Sequence, residues 1–194
     1  MRKKFLLLIL FLISISYSNA QEEATITLHD GTIVEGFAKI RGTYKIKFWE
    51  TLESTPNDDY NEWNVKEMQL YDPRKETYDI YEYKKNIFNG GIVLLKQYIT
   101  GNVSIYYVVS RGTAYDSNGF SGNFYDRVNV YYISKSSNNN NVALMRKHNP
   151  KKKSFARAYA TYIGDCPMIL EKLKNKEFDN WEDVFKQYNA NCSN

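Results

Sequence analysis

The sequence predicts an α+β protein, mainly antiparallel β, built as a sandwich or small barrel of about nine strands and followed by a short C-terminal helical subdomain. Three observations lead there. Apolar residues alternate in short runs, separated by turn residues, from Ala24 to Arg146. The 17 tyrosines suit half-exposed strands, where the ring packs and the hydroxyl stays wet. Beyond residue 149 the apolar period lengthens to that of a helix.

Residues Ala24 to His29 alternate, with Ile26 and Leu28 on one face and Thr25 and Thr27 on the other. Asp30-Gly31 is a two-residue hairpin signal of the type I′ kind, which needs positive φ at both positions. Thr32 to Ile40 returns as a second strand, and Gly36 in its middle predicts a bend or bulge. Tyr44 to Glu50 alternates again, so the opening reads as a three-strand meander. Thr51 to Asn64, with Pro56, Asn57, Asp58 and Asp59, breaks the pattern and reads as a loop. Strands resume at Val65 to Tyr71 and Thr77 to Tyr83, on either side of Asp72-Pro73. Ile92 to Thr100 and Val103 to Ser110, joined by Gly101-Asn102, form the clearest hairpin. In its second arm Val103, Ile105, Tyr107 and Val109 make one apolar face. Val128 to Ser134 and Val142 to Arg146 complete the set around the polar stretch Ser136 to Asn141.

In the tail, Phe155, Tyr159, Tyr162 and Ile163 recur at helical spacing. Asp165 followed by Cys166-Pro167 marks a stop and a fresh helix start, with proline where its missing N–H costs little. Ile169, Leu170 and Leu173 supply that helix's apolar face. Asp179 and Glu182 have capping-box spacing ahead of Trp181, Val184, Phe185 and Tyr188. Three short helices packed on each other and on the sheet are expected.

The N-terminus has the three regions of a cleavable signal peptide in order. Arg2, Lys3 and Lys4 precede the apolar run Phe5 to Ile13, and Ser18-Asn19-Ala20 places small residues ahead of a cut between Ala20 and Gln21. The apolar run is shorter than the roughly 20 residues of a membrane span. The expected organisation is therefore a signal peptide over 1–20, an antiparallel β domain over 21–148 and a helical tail over 149–194, in a periplasmic or secreted protein with no transmembrane segment after cleavage. Three of the 26 basic residues and none of the 22 acidic ones lie in residues 1–20. The remainder carries 23 against 22, a net +1 in place of +4. A near-neutral exported chain argues against a nucleic-acid partner.

Two cysteines, Cys166 and Cys192, fall at ends of the helical tail, and an oxidising compartment favours their pairing. Such a bridge closes a loop of roughly 27 residues and contributes about 3 to 4 kcal/mol by the chain-entropy estimate. The alternative, a reactive Cys166 thiolate at a helix start, needs a base; the histidines, His29 and His148, are far away in sequence. Asp30 to Gly36 (Asp-Gly-Thr and Glu-Gly), with Asp165-Cys166-Pro167, Leu170, Phe178, Tyr188-Asn189 and Cys192, resembles a set of uncharacterised exported proteins of Bacteroidota. The resemblance touches both ends of the chain. It implies a bacterial source and paired cysteines, and carries no activity.

The chain carries little recognisable catalytic chemistry. Gly119-Phe120-Ser121-Gly122 lacks the glycine two residues after the serine that a nucleophile elbow requires. No zinc or EF-hand spacing surrounds the histidines or Asp58, Asp59 and Asp72, so neither metal nor cofactor is expected. Arg146, Lys147 and Lys151 to Lys153 form the one basic cluster; a solvated run ahead of a helix is the favoured reading over contact with anionic envelope polymers or lipid headgroups. The connection Arg111 to Arg127 is long and holds Tyr115, Phe120, Phe124 and Tyr125, which suit either a satellite core or a ligand-contact loop. The function expected is that of an exported soluble envelope protein, a non-enzymatic module binding a glycan or protein. The alternatives are a carboxylate-based hydrolase acting on glycan or peptide and an outer-membrane-associated β protein.

Overall fold

The computed structural model describes residues 21–113, 125–138 and 141–192. Nine strands run in order: β1 Glu22–Leu28, β2 Ile33–Arg41, β3 Lys45–Trp49, β4 Val65–Asp72, β5 Thr77–Asn86, β6 Ile92–Ile99, β7 Val103–Thr113, β8 Tyr125–Lys135 and β9 Asn141–Met145. Four helical segments follow: α1 Lys153–Ala158, α2 Ala160–Ile163, α3 Pro167–Lys174 and α4 Trp181–Asn191. The strand count, the mainly antiparallel pairing and the helical C-terminus are those the sequence predicts. The strands lie in one continuous sheet, β3-β2-β1-β4-β5-β6-β7-β8-β9. β9 also runs briefly parallel to the end of β5, through Lys85 with Asn141 and Asn86 with Val142. That contact curls the last five strands round on themselves, but the sheet is not a closed barrel.

Three cores follow from which face each residue takes. Ile26, Ala38, Ile46, Phe48, Val65 and Met68 form a core made by strands alone. On the same face farther along, Val103, Ile105 and Ile133 meet Phe155, Ile163, Ile169, Val184, Phe185 and Tyr188 from the helices. A small third core of Leu95, Tyr106, Tyr132 and Val142 occupies the opposite face of the curled half. Tyr106 and Tyr107 thus serve different cores because successive strand residues point opposite ways.

Several local readings are corrected. The Asp30-Gly31 hairpin is not a type I′ turn. Gly31 N–H donates to the Leu28 carbonyl at 3.1 Å and Leu28 N–H to the Thr32 carbonyl at 2.8 Å, and of the two turn residues only Gly31 has positive φ, 91°. This is the three-residue hairpin, a type I turn closed by a left-handed glycine; the Asp30 side chain accepts the Thr32 N–H at 2.8 Å. β2 passes through Gly36 without a shift of register. The glycine is there because the chain of β3 lies against it: an added Cβ would stand 2.3 Å from the Trp49 carbonyl oxygen and 2.6 Å from Phe48 Cζ. The capping box is one residue later than expected. Asn180, not Asp179, caps α4, accepting the Asp183 N–H at 2.9 Å while its amide donates to the Asp183 carboxylate at 2.7 Å. Asp179 pairs with Lys151 at 2.7 Å instead. The first helical stretch breaks at Tyr159 into α1 and α2. Finally, β7 and β8 pair as far as Thr113 with Tyr125, so the two ends of the connection expected from Arg111 to Arg127 are strand, and 114–124 lie outside the described residues.

Candidate functional site: a charged cleft between two cores

The strand-only core and the helix-covered core share one face of the sheet, and neither covers the strip between them. Register fixes what stands there. Met68 pairs with Tyr81, Tyr81 with Lys96, and Lys96 with Tyr107, so Tyr81, Lys96 and Tyr107 form one cross-strand row. Asp79 stands two residues before Tyr81 and Asp72 two after Leu70, on that same face. These side chains, with Glu22 and the β2–β3 turn at Gly42, line a cleft of about 330 Å³.

The charges inside are matched. Lys75 bridges Asp72 at 3.0 Å and Asp79 at 3.3 Å, and Lys96 also pairs with Asp79. Arg74 meets Asp72 at 3.3 Å through Nε, and its N–H donates to the same carboxylate at 3.1 Å. The β4–β5 turn delivers these cations because Glu76 adopts a left-handed φ of 54°, a conformation that costs a non-glycine residue on the order of 1 kcal/mol. Strain of this kind gathers at functional sites.

The hydrogen bond from Lys75, ahead of those from Arg74, holds the Asp72 carboxyl down to about 2. The Lys75 ammonium is stabilised in turn, well above its ordinary value, chiefly by Asp72. Partial loss of water, then the negative charge of Asp72, pushes the Glu22 carboxyl up. Burial, reinforced by Asp79, pushes the Tyr81 phenol up, so at neutral pH it is an O–H donor. The cleft therefore offers fixed, ionised acceptors and donors beside two tyrosine rings. The Lys96 ammonium lies 5.6 Å from the centre of the Tyr107 ring. Tyr107 continues into an aromatic ladder, 5.8 Å to Tyr131 and from there 5.3 Å to Trp181 of α4, which anchors one wall of the cleft to the helices.

The residues singled out in the sequence lie elsewhere. Cys166 and Cys192 form a disulfide with Cα atoms 5.8 Å apart. The tail motif is a structural clamp around it. Tyr188 O–H donates to Asp165 at 2.9 Å, and Lys135 pairs with Asp165 at 2.6 Å. Asn189 grips the β6–β7 hairpin through the Val103 N–H at 2.9 Å and the Val103 carbonyl at 2.7 Å. Gly101 makes room for it, since a Cβ there would stand 2.4 Å from the Asn189 side chain. Ala20, Tyr115, Phe120 and Phe124 lie outside the described residues. Gln21 is the first described residue, and Tyr125 opens β8. Among the described residues no group of three or more His, Cys, Asp or Glu side chains converges on a metal position, and no helix is long and apolar enough to cross a membrane.

Of the residues lining the cleft, Asp72, Tyr107, Val109 and Ile40 stand out in the sequence, as a turn acid and as strand positions, with nothing local to join them into one site. One signal pointed further: Lys96 shares strand parity with Leu94, a buried position, and a lysine on a core-facing site needs a partner. The chain matches no protein-family model, and no curated protein or solved structure is similar to it.

Proposed function

We propose that this chain is an exported, non-enzymatic binding protein of a bacterial envelope, and that the cleft between its cores receives a hydroxyl-rich ligand, a glycan. The observation that carries the reading is the cross-strand row Tyr81, Lys96 and Tyr107 flanked by the Asp72–Lys75–Asp79 chain of ion pairs. Sugar recognition needs a ring face beside rigid polar groups, and here each charge is held in place by its neighbour. Both aspartates are committed to lysines, so neither is free to act as a base. Export is supported by the order of regions in residues 1–20 and by the disulfide.

A hydrolase is the second reading, favoured by one observation: Glu22, its carboxyl raised, stands at the same cleft as two carboxylates held ionised or paired. One experiment separates the two. Oligosaccharides are screened against the native protein by ligand-observed NMR, and the same samples are followed for cleavage products. Binding without turnover, weakened about 10- to 100-fold in Lys96→Met by loss of a charge-assisted hydrogen bond, is expected. Product release that stops in Glu22→Gln assigns the hydrolase. Binding that ignores Lys96→Met, or no glycan binding at all, removes the cleft as the site.

A further inference from the structure

Charge is distributed unevenly along this chain. Residues 146–176 hold nine Lys and Arg against two acids, Asp165 and Glu171, in a protein that beyond residue 20 is nearly neutral. The fold gathers that excess round a groove of about 330 Å³ between α1 and α3. Lys151, Lys152 and Lys153 come from the start of α1, and Lys174 and Lys176 from the far end of α3. All five are exposed. Lys151 pairs with Asp179, while Lys152, Lys153, Lys174 and Lys176 form no ion pair among the described residues. The groove floor is apolar, built from Ala156, Leu170 and Leu173.

Lys176 sharpens the picture. α3 ends in a Schellman motif, with the Lys176 N–H on the Leu173 carbonyl at 3.1 Å and the Glu177 N–H on the Lys172 carbonyl at 3.0 Å. The left-handed residue of that motif is ordinarily glycine. Here it is Lys176, with φ 61°, so the fold carries strain at the position that places a cation on the groove rim.

On the other flank of α1 lies a shallow pocket that includes Phe88, Leu144, Arg146 and Ala158. Phe88 is 73% exposed and Leu144 44%, both large and apolar, beside the same basic segment. A surface that sets lysines above apolar floor and wedge residues matches an anionic lipid surface, where headgroup charge and acyl chain are presented together. A soluble polyanion would be served by the lysines alone.

We propose that the groove and pocket flanking α1 form a docking surface for an anionic lipid membrane, with Lys152, Lys153, Lys174 and Lys176 on the headgroups and Phe88 at the acyl boundary. The site is separate from the cleft and does not depend on the glycan reading. The test is flotation of the natively exported protein with phosphatidylcholine vesicles, with and without phosphatidylglycerol, and with soluble polyphosphate as competitor. Binding only to the phosphatidylglycerol vesicles is expected, falling with salt. Lys152→Gln with Lys174→Gln should weaken it about 20- to 30-fold, from roughly fivefold per lysine at an anionic surface. Phe88→Ser should weaken vesicle binding and leave polyphosphate binding unchanged. Lys176→Gly should raise the melting temperature while weakening vesicle binding, a pairing that a purely structural lysine cannot produce. Three outcomes overturn the proposal: equal binding to both vesicle types, vesicle binding indifferent to Phe88→Ser, or tight polyphosphate binding with no flotation, which assigns a soluble polyanion instead.

Discussion

The two halves of the sheet solve the same problem by different means. β1 to β4 bury one face against themselves, around Ile26, Ile46, Phe48 and Met68, with no helical residue in that core among the described residues. β6 to β9 leave that same face open and have it roofed by α1 to α4, which bring Phe155, Tyr159, Trp181, Phe185 and Tyr188 and are then fixed by a disulfide and by the Asn189 grip on the β6–β7 hairpin. The strand-only half uses mostly aliphatic side chains; the roofed half uses interlocking rings. A sheet face too long for one core has been covered twice, and the strip left between is where ionised groups survive. The cleft is a consequence of that division.

The largest effects should come from breaking one core and asking whether the other notices. Phe185, fully buried among Phe155, Tyr159 and Trp181, costs about 3 to 5 kcal/mol on truncation to alanine. Phe48→Ala, equally buried, should cost a similar amount. Hydrogen exchange separates them: amides of α1 to α4 lose protection first in Phe185→Ala, and those of β1 to β3 first in Phe48→Ala. If both variants open every amide in a single step, the halves are one cooperative unit and the contrast is only geometric. Next in size is the staple. Replacing Cys166 and Cys192 with serine removes a closure spanning 26 residues, worth about 3 to 4 kcal/mol. Limited proteolysis should then cut within 166–192 while β1 to β5 stay intact.

Most of this architecture was legible in the sequence, and its limits have physical causes. All nine strands announced themselves because alternation is a local property, and Trp181, Val184, Phe185 and Tyr188 did so because the i, i+3, i+4, i+7 stripe is too. Turn chemistry was read less well. Asp30-Gly31 serves a two-residue or a three-residue hairpin equally, and only the pairing of Leu28 with Thr32 decides between them. Asp179/Glu182 and Asn180/Asp183 share one spacing, and the choice belongs to Trp181, whose burial sets where the helix begins. The cleft was nearly invisible. It needs β4 beside β1, a pairing across the long loop 51–64, and it needs the registers that bring Lys96 level with Tyr81 and Tyr107. None of that is local.

The start of α4 carries an effect of intermediate size. Asn180→Ala removes the cap and should cost about 1 kcal/mol, seen as fraying of the first turn of α4, whereas Asp179→Ala should cost little because its partner Lys151 is exposed. Equal losses would restore the frame first expected from the sequence.

The smallest expected effect tests the strip itself. Asp72 sits at the end of β4 with its carboxyl held at about 2, below the 3.8 of an unconstrained aspartate, mainly by Lys75. A depressed carboxyl stabilises the fold at every pH above its unfolded value and loses that contribution as pH falls toward its folded one. Melting curves of native protein and Asp72→Asn should therefore differ above about pH 4 and converge as the pH drops to about 2. The Asp72 carboxyl resonance should show a midpoint well below 3.8 in native protein, moving up toward that value in Lys75→Met. A midpoint unmoved by Lys75→Met would mean that the ion pairs of the cleft are not what keeps it charged. The division of the face into two cores with an ionised strip between them would then lose its electrostatic half, leaving only the packing.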